Sequence, residues 1–385
     1  MNATNRHSAP APHPVARTAT GMGKGGAVLD GSGRESEGEG EIGARKSDHL
    51  DIALQPSLPG SRADTGFDRV RFEHVALPEL DLDAIDLSTR FLGRAMRAPI
   101  LISSMTGGPE RAGAINARLA EATEHLGLAL AVGSQRIALE GRGSGGLGAD
   151  LRRRAPHVPL LANIGGAQLA AGWGVREARR AVEMIEADAL IVHLNPLQEA
   201  VQTGGDRNWA GVLGAIEALA REAGFPIVVK EVGAGLSATV ARRLVEAGVH
   251  AIDVAGAGGT SWAAIEAERS ADPRVRGSAL LFSDWGIPTA DAIAEVRAAC
   301  PQAFVIGSGG VRHGLDAARA IRLGADLVGQ AGASLAAADV STERVVAHFA
   351  GVVEELRIAC FCTGSADLEA LRTARLRPAE APARS

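Results

Sequence analysis

The stretch Val245-Glu246-Ala247-Gly248-Val249-His250-Ala251-Ile252 closes one amphipathic run, turns on a glycine and opens an apolar run. It has two weak echoes, Ile185-Glu186-Ala187-Asp188-Ala189-Leu190 and Ile321-Arg322-Leu323-Gly324-Ala325-Asp326-Leu327. Each reads as a helix end, a small-residue turn and a strand start. Working outward from these three, short aliphatic or β-branched runs predict strands at 98–103, 129–133, 158–164, 189–194, 226–231, 251–255, 303–306 and 326–330. Stretches of 3.6-residue period predict helices at 111–126, 176–187, 209–223, 238–247, 290–300 and 315–323, with a longer one at 341–362 after the last strand. Strands that are apolar almost throughout are buried on both faces, and eight of them in βα units close into a (β/α)8 TIM barrel. A doubly wound sheet is the alternative.

The chain has 385 residues, enough for one such barrel, with 40 Lys plus Arg against 45 Asp plus Glu. That interspersed, slightly acidic balance argues against a nucleic-acid footprint. No apolar block is long enough to span a membrane or serve as a secretory leader, which predicts a soluble cytoplasmic protein. Three cysteines cannot all pair internally, which suits a reducing compartment; Cys360-Phe361-Cys362 reads as packing in an apolar helix. There is no tyrosine at all, so chemistry that needs a phenol is excluded within this chain. Residues 1–43 are rich in Pro, Ala, Gly and Glu without apolar period, which predicts a disordered tail before a single domain at 44–377, and 378–385 read as a flexible end.

In a barrel of this kind reactive groups gather where strands end. The first strand runs into Ser103-Ser104-Met105-Thr106-Gly107-Gly108, the second into Gly133-Ser134-Gln135-Arg136 and the third into Asn163-Ile164-Gly165-Gly166. The fourth ends in His193-Leu194-Asn195-Pro196-Leu197-Gln198-Glu199, the fifth carries Lys230-Glu231, and the sixth leads to Gly256-Ala257-Gly258-Gly259-Thr260. One polar strand end is ordinary turn chemistry. Six converging on one rim exceed what turns require. The last two loops, Gly307-Ser308-Gly309-Gly310-Val311-Arg312 and Gln330-Ala331-Gly332, occupy the positions where barrels hold a phosphate, with a helix expected from 313 to add its dipole. Lys230 within an apolar strand needs an anion or an electron-rich carbonyl; a flavin ring offers the latter, and a carboxylate partner is the plainer alternative.

With Arg45-Lys46-Ser47-Asp48-His49, the His193 to Glu199 run, Gly258-Gly259-Thr260-Ser261-Trp262 and Asp284-Trp285-Gly286-Ile287-Pro288-Thr289, the chain resembles the type 2 isopentenyl-diphosphate isomerases from about residue 45 to 364. Those are FMN-dependent barrels. The resemblance implies interconversion of isopentenyl and dimethylallyl diphosphate by allylic proton transfer, in isoprenoid biosynthesis. It implies that Ser104, Met105, Thr106, Ser134, Asn163, Lys230, Thr260, Gly309, Gly310, Val311, Ala331 and Gly332 hold FMN. By the same resemblance Arg45, Lys46, His49, Ser134, Gln135, Arg136 and Gln198 bind substrate, Gln198, His193 and Asn195 are catalytic, and Glu199 is the Mg2+ ligand. NADPH or NADH as reductant and a homo-tetramer or homo-octamer are also implied.

The residue types suit those roles independently. A diphosphate calls for the charges of Arg45, Lys46 and Arg136, and the hard oxygen of Glu199 suits a Mg2+ that also meets phosphate. Gln198 can position or relay a proton, but an amide is a poor base by itself. Trp262 and Trp285 either face the substrate or pack loops. An FMN-dependent 2-hydroxy-acid oxidase is the nearest rival, but that group uses a catalytic tyrosine and a run that Arg312-His313-Gly314 does not match. A non-catalytic flavin-binding homologue is expected to lose Gln198, Glu199 or Arg136, and all three are present.

Overall fold

The computed structural model describes residues 49, 51–52, 63–105 and 110–378. The expectations for the tail over 1–43, for the end beyond 378, and for Arg45, Lys46 and Thr106 lie outside these residues.

A short hairpin comes first, β1 (Thr89–Phe91) and β2 (Arg94–Met96), paired antiparallel. Leu92 and Gly93 both take positive φ at its turn, the handedness that lets a two-residue loop follow strand twist. Eight parallel strands follow: β3 (Ile100–Ile102), β4 (Ala129–Ala131), β5 (Leu160–Gly165), β6 (Ala189–His193), β7 (Ile227–Lys230), β8 (Ala251–Asp253), β9 (Phe304–Ser308) and β10 (Leu327–Gln330). They form a closed barrel in which β10 pairs β3, Val328 opposite Ile100. The eight expected strands are all present, within a few residues, and closure rules out the doubly wound sheet. The hairpin and the helices Trp262–Arg269, Pro273–Leu281 and Gly332–Val340 were not foreseen.

Alternation along the strands sorts the apolar residues into two cores. Ile100, Leu130, Leu190, Val229 and Val305 point outward to the helices. Leu101, Ala131, Leu161, Ile191, Val228, Ile306 and Leu327 point inward and fill the lumen. Small residues at Ala129, Ala189 and Ala251 leave room at the floor, where Phe91 and Met96 of the hairpin enter, Phe91 stacking on Phe304 at 4.8 Å. Phe91→Ala should therefore cost about 3–5 kcal/mol of stability, since the rigid strands around it cannot collapse into the void. Urea denaturation checks this; a loss below about 1 kcal/mol means the plug is not closely packed.

The same parity continues upward. Two residues beyond Leu101, Leu161, Ile191, Val228, Ala251 and Ile306 come Ser103, Asn163, His193, Lys230, Asp253 and Ser308, so the polar layer at the strand ends faces the lumen because the apolar one beneath it does. Cys360 is buried in the helix Thr342–Cys362, and burial pushes its thiol up to about 12, which makes it inert packing. Among the described residues no helix is long and apolar enough to cross a membrane.

Candidate functional site

Above the polar layer lies a cavity of about 780 Å3, within the range of roughly 300–1,000 Å3 typical of small-molecule sites. Its lining includes Ser104 and Met105 after β3, Ser134 and Arg136 after β4, Asn163 and His193, Asn195, Gln198 and Glu199 after β6, and Lys230. Thr260, Gly309, Gly310, Val311, Ala331 and Gly332 complete the other side, and His49 reaches the rim beside Trp262, edge to face at 5.3 Å. The cavity thus gathers the described residues expected there, with one correction. Gln135 is fully buried outside it, donating to the Ala181 carbonyl at 2.9 Å and accepting from the Asn163 backbone at 2.8 Å. The chain leaves strand alternation after Ala131, and Gln135 turns toward the helix layer while Arg136 turns to the cavity.

Asn163 fixes the chemistry of His193. Its Nδ2 donates to Ser104 Oγ at 2.8 Å and to the Val132 carbonyl at 3.1 Å, so its Oδ1 is the atom facing His193 Nδ1, 2.8 Å away. In the neutral ring the proton therefore sits on Nδ1, and Nε2 is the basic nitrogen.

A chain of side-chain bonds runs along the helix start Pro196–Val201. Asn195 Nδ2 donates to Gln198 Oε1 at 3.0 Å and to Glu199 Oε1 at 3.1 Å, while Asn195 Oδ1 is buried without a partner. Glu199 Oε2 accepts from Gln202 Nε2 at 3.3 Å and from the Asp206 backbone at 2.7 Å. Gln198 Nε2 in turn donates to Glu266 Oε1 at 3.1 Å, which His49 Nε2 also meets at 2.9 Å, and Arg269 holds Oε2 at 2.7 Å. Burial opposes ionisation of Glu266, but the bonds from His49 and Gln198 and the nearby Arg269 outweigh it and hold the carboxyl below the usual range. Arg136 spans Glu140 at 3.1 Å and Asp206 at 3.0 Å.

Glu266 was missed in the sequence. The signal was there: it stands one helical turn beyond Trp262, on the same face of the helix Trp262–Arg269. His348 was missed too; it reaches the lining from the helix Thr342–Cys362, with Nε2 2.5 Å from Gln330 Oε1. Trp262 lines the cavity, whereas Trp285 is 65% exposed outside it.

At the glycine-loop end, where a phosphate is expected, the helix starts are not those the sequence suggests. The helix Gly314–Leu323 has its first N–H groups taken internally: Gly314 donates to Glu355 at 2.7 Å, and Asp316 N to His313 Nδ1 at 3.2 Å. The helix Gly332–Val340 instead starts at the cavity with no side-chain cap, so of these two helices it is the one whose dipole is open to an anion there. Opposite it, Gly309 and Gly310 adopt φ of +107° and +66°, and a Cβ on Gly259 would come within 2.5 Å of Gly310 N. Only glycines allow these two loops to meet.

Lys230 is 7% exposed, and its Nζ donates to the Glu231 carbonyl at 2.7 Å. The Glu231 carboxylate turns away, accepting the backbone N–H groups of Val232, Gly233, Ala234 and Gly235, so it is not the lysine's ion-pair partner.

The model of the FMN-dependent dehydrogenase family matches residues 181–378. An isopentenyl-diphosphate delta-isomerase of Xanthobacter autotrophicus is 65% identical over 334 residues, 87% of this chain and 97% of that protein. The protein of the same name from Stutzerimonas stutzeri is 66% identical, covering 86% and 96%. One from Synechocystis is 50% identical, covering 85% and 93%. Among solved structures, a lactate oxidase of Pediococcus acidilactici superposes with a TM-score of 0.61 at 15% identity, over 88% of this chain and 93% of that one. A mandelate oxidase with an FMN adduct gives 0.58 at 17%, over 82% and 90%. These two share the barrel alone. By its match to the FMN-dependent dehydrogenase model and its identity to these relatives, the chain belongs to the isopentenyl-diphosphate delta-isomerase family.

Proposed function

We propose that this isomerase interconverts isopentenyl and dimethylallyl diphosphate with reduced FMN in the cavity, NADPH or NADH as the reductant and Mg2+ at Glu199. The residues fit a flavin nucleotide: a cavity of suitable size, glycine loops and an uncapped helix start at one end for the phosphate, and Asn163 and Lys230 toward the other. Reduced FMN supplies an electron-rich ring that can carry developing charge and exchange a proton. Ser104, Met105, Ser134, Thr260, Val311, Ala331 and Gly332 surround that space, and Thr106 is assigned with them by resemblance.

The observation that carries the reading is the bonded run Asn195, Gln198, Glu266 and His49 at the cavity wall. An isoprenoid's hydrocarbon end has no polar handle, so an isomerase must place a proton acceptor beside one carbon. Glu266 Oε1 is an ionised acceptor joined to Gln198, which faces the cavity. Asn195 orients Gln198 and Glu199 together, and His193 offers Nε2 on the adjoining strand end. Arg136, with Arg45, Lys46, His49 and Ser134, is assigned to the diphosphate. Glu199 fits Mg2+ only with substrate phosphate and water completing the shell, because the described residues contain no cluster of three acidic, His or Cys groups able to hold a metal. The reading also includes a cytoplasmic homo-tetramer or homo-octamer.

Anaerobic incubation with isopentenyl diphosphate, FMN, Mg2+ and NADPH should yield dimethylallyl diphosphate. Oxygen-dependent turnover of a 2-hydroxy acid, or flavin binding without isomerisation, would overturn the reading.

A further inference from the structure

Beneath the cavity lies a charged group that the reaction as read does not use. Asp253 is fully buried and sits directly across from Lys230 in the β7–β8 register, so both side chains enter the lumen from adjacent strands at one level. Ser308 Oγ donates to Asp253 Oδ1 at 2.5 Å, while Oδ2 is buried with no hydrogen-bond partner. Lys230 lines the cavity and Asp253 does not. The two interact through charge across the lumen, not by a direct hydrogen bond.

We propose that Asp253 is a positioning residue for Lys230, a sunken carboxylate that keeps the lysine's ammonium charged and thereby fixes the field at the flavin ring. The inference rests on the FMN reading. The other groups near Lys230 make their hydrogen bonds elsewhere: the Glu231 carboxylate is bound by four backbone N–H groups and acts on the lysine through charge less than Asp253 does, and His193, its register neighbour on β6, spends Nδ1 on Asn163. From β9 only the neutral hydroxyl of Ser308 reaches the pair. Burial lowers the proton affinity of Lys230 and raises that of Asp253 to about 6, and each charge opposes the other's shift. Removing the carboxylate takes away the larger of the two charges that oppose desolvation, so the ammonium becomes able to lose its proton at lower pH than in the wild type.

The test uses the full chain loaded with FMN and reads the visible absorbance of the oxidised flavin from pH 6 to 9. The wild type should show a flat trace above about pH 7, with any change confined to the acid edge where Asp253 itself, at about 6, takes up its proton. Asp253→Asn should introduce a reversible spectral transition within that window, and the double variant Asp253→Asn/Lys230→Met should abolish it. A merely structural role lowers flavin content or melting temperature without creating a titration that depends on Lys230. A flat trace in folded Asp253→Asn, or a transition that survives in the double variant, overturns the inference. If Asp253→Asn does not fold, Ser308→Ala decides: loss of the donor raises the proton affinity of Asp253 further, so a transition should appear in the lower half of the window, and a flat trace overturns the inference. Failure of the wild type to bind FMN at all is a distinct result, which removes the FMN reading and this inference with it.

Discussion

Glu266→Gln is expected to lower kcat by about 10²–10⁴-fold, the span associated with removing a positioned acid or base, while FMN content stays at the wild-type level. The amide keeps the shape and can still accept from Gln198 and His49, while the negative charge and the bond that Arg269 makes to Oε2 are lost. Because its bonds hold the Glu266 carboxyl below the usual range, this group is ionised across neutral pH. Its contribution to kcat/KM should therefore be flat there and decline only in acid, as pH falls through its depressed value. Anaerobic turnover with NADPH-reduced enzyme measures both. An effect smaller than about tenfold would remove Glu266 from the proton path and leave it as a brace for Gln198.

Lys230→Met carries the second large effect, on folding as well as on flavin. The substitution keeps the alkyl volume but strands Asp253, and breaking a buried charge pair on one side typically costs about 3–5 kcal/mol. The sign with pH follows from Asp253. Its folded value lies above its ordinary 3.8, at about 6 with the lysine present, and rises further without it, because the lysine's charge is what holds it down. The folded chain then binds a proton that the unfolded chain releases, so stability falls as pH rises through that interval and levels off above it. Urea denaturation of the flavin-free proteins should show Lys230→Met penalised far more at pH 8 than at pH 5. Adding Asp253→Asn should remove that difference. An equal penalty at both pH values would mean that Asp253 does not sense the lysine.

Much of the barrel was legible because period-two alternation and the βα echoes are local properties of the chain. Once Ile191 and Val228 are inward, His193 and Lys230 must be inward as well. Gln135 shows where that logic stops: it lies beyond the last paired residue of β4, and whether it or Arg136 faces the cavity depends on the helix layer that covers it. Glu266 was hidden for a different reason. Its importance comes from Gln198, 68 positions earlier; the turn from Trp262 puts it on the right face, but Glu268 follows two residues later and nothing local marks which carboxylate is the bonded one. At the glycine-loop end the first N–H groups of the helix Gly314–Leu323 are taken by Glu355 and His313, and the former is brought in by tertiary packing that local reading does not register.

The hairpin seated among Ala129, Ala189 and Ala251 makes the barrel a vessel with a sealed base. With that base closed, nucleotide and isoprenoid are both expected to enter from the strand-end side, where the cavity lies. Both isoprenoid isomers are expected to use that same cavity, and each should block the other competitively during initial-rate measurements.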